Sequence, residues 1–151
     1  MRITPRRLAI GMNLWIPNLF SGIRVKGFST DWTRATVELH VNLLTRNYVK
    51  TAFGGSMSAM TDPYFFMLVK HQLGRDYIVW DTRGEIEFVR PGRGVLTAHF
   101  SVPRAKAEEL RERAREGAKV LEWFETEITD RSGDVVARVR REVYVREKRR
   151  G

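Results

Sequence analysis

The spacing of apolar and polar positions changes along this chain, and the changes mark its elements. Residues 5–20 carry apolar side chains on one side and predict an amphipathic helix. Residues 22–28 and 34–42 read as a strand pair turned by Ser29-Thr30-Asp31. The second arm alternates, with Val37, Leu39 and Val41 on one face and Thr36, Glu38 and His40 on the other. A loop over 47–55 ends in a Gly-Gly pair and opens a run that is apolar nearly all round. That run holds Met57, Met60, Tyr64, Phe65, Phe66, Met67, Leu68 and Val69, and Gly74 supplies its stop. A helix without a polar face has to be buried on most sides.

The second half reads mostly as strand. Residues 78–88 form one strand, followed by a turn at Arg90-Pro91-Gly92 and Gly94. Residues 95–102 alternate, with Leu96, Ala98, Phe100 and Val102 opposed to Val95, Thr97, His99 and Ser101. Residues 105–117 are rich in Glu, Arg and Ala, with Leu110 and Ala114 four apart, and predict a surface helix between Pro103 and Gly117. Residues 119–130 and 135–146 form a hairpin across Ser132-Gly133-Asp134. Its second arm lines up Val135, Ala137, Val139, Val143 and Val145, interrupted by Arg141. A buried arginine there would pair with a carboxylate at a dimer interface or mark a bulge. The pattern predicts an α+β fold: one antiparallel sheet curled round a central helix, with an extra N-terminal helix and a surface helix before the last strand pair. The whole of 1–151 reads as one domain, with a helical segment over 1–20 and a basic tail over 147–151.

Composition narrows the class. A chain of 151 residues, 42% hydrophobic and 30% charged, has enough apolar content for a core and is not a disordered polymer. Arg2, Arg6 and Arg7 ahead of an apolar run hint at a signal peptide. Asn13, Pro17 and Asn18 interrupt that run, and no clean small-residue cleavage site follows. The absence of cysteine excludes a disulfide scaffold and a thiol nucleophile, and fits a reducing, cytoplasmic setting. No run reaches the roughly 20 apolar residues of a membrane span. Lys and Arg number 27 against 18 Asp and Glu, a net charge of +9. That surplus suits nucleic acid or a smaller phosphate-bearing ligand. His40, His71 and His99 are too scattered for a metal site, so none is expected. His71, near a helix end, reads as a favourable cation or a neutral surface group.

Chemistry concentrates between Asn47 and Asp62. A helix opening on Gly54-Gly55 presents unpaired backbone N–H groups, which can hold a developing oxyanion. Asp62 follows Gly55 by seven residues, about two helical turns. A carboxylate there can attack a thioester or activate water. Thr61-Asp62-Pro63 is equally a helix-start signature, with Asp as N-cap and Pro first in the helix, and implies a break at that point.

In this segment the chain resembles the hotdog-fold acyl-CoA thioesterases, with the phenylacetate-pathway type and its uncharacterised relatives nearest. Asn47, Phe53-Gly54-Gly55 and Asp62 keep the spacing of that family's Asn, His-Gly-Gly and Asp. The turn Arg90-Pro91-Gly92 before Leu96-Thr97-Ala98 fits as well. The resemblance implies a hotdog fold, assembly into dimers or tetramers, and sites between protomers. It implies catalytic roles for Asp62, for the Gly55 N–H as oxyanion donor and for Asn47 in orienting substrate or water. It also implies substrate contacts from Phe53, Gly54, Met57 and Phe65, and places Arg90 and Arg104 as candidates for the phosphates of CoA. CoA enters as part of the substrate, and no resident cofactor is expected. Phe53 replaces the family's His, and Lys50 stands where a small residue is usual. Three readings follow: an acyl-CoA thioesterase, a non-catalytic acyl or lipid-binding module on the same fold, and a nucleic-acid-binding domain. The last lacks any recognition motif, and no nucleic-acid partner is expected.

Overall fold

The computed structural model describes residues 3–148. Its elements run α1 Pro5–Leu14, α2 Ile16–Ser21, β1 Ile23–Phe28, β2 Arg34–His40, α3 Gly54–Ala59, α4 Tyr64–Leu73, β3 Tyr77–Phe88, β4 Val95–Ser101, α5 Arg104–Arg113, a short 3₁₀ turn Arg115–Gly117, β5 Val120–Thr129 and β6 Val135–Glu147. The strands form one six-stranded antiparallel sheet in the order β1-β2-β4-β5-β6-β3. The expected α+β architecture is therefore present. Tail residues 149–151 lie outside the described residues.

The expected N-terminal helix is two helices. Pro17 has no N–H to give and its ring crowds the preceding turn, so the chain leaves the helix at Trp15 and re-enters at Ile16. The two asparagines that interrupt the apolar run there have structural work. Asn13 exchanges two hydrogen bonds with the Val25 backbone, at 2.9 and 2.8 Å, and so docks α1 on β1. Asn18 donates to the Met12 carbonyl near the end of α1.

The central helix is also broken, at the place its sequence implies. α3 ends at Ala59 and α4 begins at Tyr64. Asp62, however, is not the cap: Pro63 holds the N-cap position of α4, and no side chain caps it. The Asp62 carboxylate turns instead toward Arg141. Beyond the break, Tyr64, Phe65, Leu68, Val69 and Leu73 are buried against the sheet's inner face, which carries Val37, Leu39, Leu96, Ala98, Phe100, Ile128, Val139, Val143 and Val145. Burying each such large side chain stabilises by about 1.5–3 kcal/mol, so this helix and the concave sheet face hold each other.

β4 and β5 pair only at Thr97–Thr129 and Ala98–Ile128, where the sheet opens. The predicted surface helix, α5, buries Ala107, Leu110 and the adjoining Ala114. Its Arg111 donates to the carbonyls of Gln72 and Leu73, closing the end of α4. His71 stacks on Trp32, rings 3.7 Å apart. Burial, with the neighbouring Lys70, holds the imidazole below its usual range and favours its neutral form. No helix among the described residues is long and apolar enough to cross a membrane.

Candidate active site

The loop before α3 is built around Asn47. Its side-chain oxygen accepts from the Thr51 N–H at 3.0 Å, and its amide nitrogen donates to Thr51 Oγ1 and the Ala52 carbonyl. Lys50 takes left-handed backbone geometry to close the turn, at φ 64°. The Ala52 N–H then donates to the Gly92 carbonyl, which sets the loop against the Arg90-Pro91-Gly92 turn. Asn47 thus spends its hydrogen-bonding capacity within the loop, rather than projecting a free amide outward.

α3 opens on the Gly-Gly pair. Its hydrogen-bond ladder starts with the Met57 N–H on the Phe53 carbonyl, so the amides of the first turn precede any helical bond. Both glycines are sites of close approach. A Cβ on Gly55 would lie 2.4 Å from the Phe53 ring, and one on Gly54 would lie 2.9 Å from the Phe88 ring. The Phe53 ring, 55% exposed, therefore lies over Gly55. Beside it runs a groove of about 400 Å³ lined in part by Phe20, Leu44, Arg46, Asn47, Phe53 and Ser56. Met57 and Phe65, expected among the substrate contacts, are sealed in the core. Phe65 stacks on Phe124 and meets Phe100 edge-on, each at 5.1 Å.

At the far end of α3 sits Arg141, buried on the inner face of β6. Its Nη2 donates to the Ser58 carbonyl at 2.7 Å and to Thr61 Oγ1 at 3.0 Å. Its Nη1 stands 3.7 Å from Asp62 Oδ2. The residue that interrupts an apolar series is thus a cation closing the C-terminal end of α3, where the helix dipole favours positive charge. It pairs with a carboxylate of its own chain. Gly84, opposite Arg141 on β3, makes the room: a Cβ there would fall 2.5 Å from Arg141 Nη1.

A second carboxylate, Asp81, faces the same region and was missed by motif reading. Burial first, and the charge of Asp62 second, push its carboxyl up to about 6, with Arg141 opposing. The signal lay in the strand period, because Tyr77 and Val79 are inward residues and Asp81 continues their series. Next to it, β3 bulges between Asp81 and Arg83. Thr82 donates from its hydroxyl to the Glu142 carboxylate at 2.8 Å, and Arg83 pairs with the same group at 3.4 Å.

The two arginines expected at phosphates have different surroundings. Arg90 is held by the Val135 carbonyl and by Asp134, at 3.0 and 3.1 Å. Arg104 opens α5, exposed. On the sheet's other face Arg138 and Arg140 interleave with Glu85, Glu87, Glu125 and Glu127, so that part of the positive surplus is neutralised in place.

Comparison with known proteins agrees with this architecture. The chain matches, over residues 6–145, the family described as a domain of unknown function, DUF4442, and it belongs to that family. No curated protein matches it. Among solved structures it is similar to a Pseudomonas aeruginosa protein of unknown function for which a thioesterase role has been suggested. That likeness has a TM-score of 0.78 at 18% identity and covers 95% of this chain and 97% of the other. A thioesterase from Haemophilus influenzae gives a TM-score of 0.71 at 13% identity, covering 97% and 93%. The PaaI protein of the E. coli phenylacetic acid degradation operon gives 0.65 at 19%, covering 97% and 93%. At these identities the likeness shows the fold, which is the hotdog fold of thioesterase-type proteins.

Proposed function

We propose that this member of the DUF4442 family hydrolyses acyl-CoA thioesters, with Asp62 as the general base. The observation that carries the reading is the placement of a carboxylate at the break of the central helix, held by a buried arginine, just past the end of the short helix that opens with Gly54-Gly55. Asp62 takes a proton from water as the water oxygen attacks the thioester carbonyl carbon. The Gly55 N–H holds the resulting oxyanion, and collapse of the tetrahedral species expels the CoA thiolate. The sulfur then takes that proton from Asp62, which regenerates the base, so the products are a carboxylic acid and free CoA.

The acyl chain lies in the groove beside Phe20, Leu44 and Phe53. Met57 and Phe65, being sealed in the core, take no direct part in this contact. Arg104, at the exposed start of α5, takes a phosphate, since Arg pairs with phosphate bidentately. The neutralised arginines of the sheet's other face favour this reading of the charge over nucleic acid. The site completes between two copies: β3 is an edge strand, and Trp80, Phe88 and Phe53 are each about half exposed near it. The reading includes neither a resident cofactor nor a metal.

Two observations favour a second reading, an acyl-CoA-binding module without turnover. The Phe53 ring lies over Gly55, and the Asn47 amide is engaged in its own loop. Titration with long-chain acyl-CoA while thiol release is followed separates the two. Thiol release above the protein-free rate supports the hydrolase, and saturable binding without release supports the module.

A further inference from the structure

Asp81 has no part in the chemistry above, yet it faces the same gap. The inner side of β3 runs Tyr77, Val79, Asp81, with Val79 opposite Val145 and Asp81 opposite Val143, both fully buried on β6. Side chains opposite each other in a sheet share a face, so Asp81 points toward the helix break. Both of its carboxylate oxygens are sealed from solvent and have no hydrogen-bond partner among the described residues. Arg141 Nε is likewise sealed and unpartnered. Buried polar groups without partners are rare in folded proteins, and they persist mainly where they serve a purpose.

The charged groups facing Asp81 are Asp62 from the helix break and Arg141 from β6. Glu142 and Arg83 pair with each other beside the bulge. Among the carboxylates of the described residues only Asp62 comes within 4 Å of Arg141, while Asp81 feels the same guanidinium from beyond hydrogen-bond reach, so one cation serves two carboxylates unequally.

We propose that Asp81 is a second ionisable member of the reaction centre, a positioning residue that competes with Asp62 for Arg141. When ionised, Asp81 draws on Arg141 and repels the charge of Asp62, which makes Asp62 a stronger base. When protonated, it leaves Arg141 to Asp62, which weakens the base. The inference rests on the reading of Asp62 as the base.

The test has two arms. In the first, kcat/KM for an acyl-CoA is measured against pH for the wild type, Asp81→Asn and Asp81→Glu. Asp81→Asn is expected to move the acid limb to lower pH and to lower the plateau severalfold with KM little changed, and Asp81→Glu to restore the limb toward wild type. A lowered plateau with an unmoved limb marks a merely structural residue and overturns the proposal. In the second arm, the Asp81 carboxyl is titrated by ¹³C NMR in the wild type and in Asp62→Asn, without substrate. Loss of the Asp62 charge is expected to lower the Asp81 midpoint by half a pH unit or more, and an unchanged midpoint overturns the pairing. If the wild type hydrolyses no thioester but the two carboxylates remain coupled, the hydrolase reading fails while the shared arginine stands.

Discussion

Arg141 places one guanidinium nitrogen 3.7 Å from the Asp62 carboxylate and another 2.7 Å from the Ser58 carbonyl. The group that closes α3 is therefore the group that aims the proposed base, and the stability of the break and the geometry of the site depend on one side chain. Arg141→Met keeps much of the apolar stem and removes both charge-assisted hydrogen bonds. It is expected to cost about 2–4 kcal/mol, read by urea denaturation, and to lower hydrolysis in the folded fraction. A loss below about 1 kcal/mol, smaller than one charge-assisted bond, contradicts this account of the break.

Gly84 tests the same relationship from the opposite strand. A methyl group there meets Arg141 Nη1 at 2.5 Å and Cζ at 3.0 Å. The backbone of Gly84 is not in the left-handed region, so the strain of Gly84→Ala falls on the Arg141 side chain. The variant is expected to fold with a loss of about 1–3 kcal/mol and to lower kcat more than it raises KM. Wild-type kcat in Gly84→Ala contradicts a role for Arg141 in placing Asp62.

Asp81 makes the protein's stability depend on pH with a definite sign. Folded Asp81 titrates at about 6, against about 3.9 for an unfolded Asp. Between those values the native state holds the extra proton, so this residue's contribution to stability falls as pH rises from about 4 to about 6. Asp81→Asn removes the buried charge. It is expected to be more stable than wild type by about 2–3 kcal/mol at pH 7, with the gap closing as pH is lowered to 4. Melting temperatures of the two proteins across that range check it, and a gap independent of pH contradicts the assignment.

Much of the fold was legible because periodicity is local. The alternation of Val37 and Leu39, of Leu96, Ala98 and Phe100, and the all-round apolar run from Met57 to Val69 each report their own burial. The break at Thr61-Asp62-Pro63 was legible for the same reason. What Asp62 does there was not, because its partner is Arg141, about eighty positions away, and a capping role is the local default. Asp81 belongs to no local motif, and its place beside the helix break is set by the register of β3 with β6, which is not a local signal. Asn47 and Phe53 were legible as positions, but the loop that engages the first and the glycine that lies under the second are tertiary facts. The single N-terminal helix failed on a local rule, the cost of Pro17 within it.

In the proposed mechanism Asp62 drives thioester hydrolysis. The most direct test of this role is the rate of thiol release from acyl-CoA by wild type and by Asp62→Asn, compared at equal folded concentration by circular dichroism and melting temperature. Asp62 is half exposed and does not cap α4, so the variant is expected to stay folded. The account expects a loss of at least about tenfold, in the range general-base catalysis contributes. A folded Asp62→Asn protein that hydrolyses at the wild-type rate contradicts it.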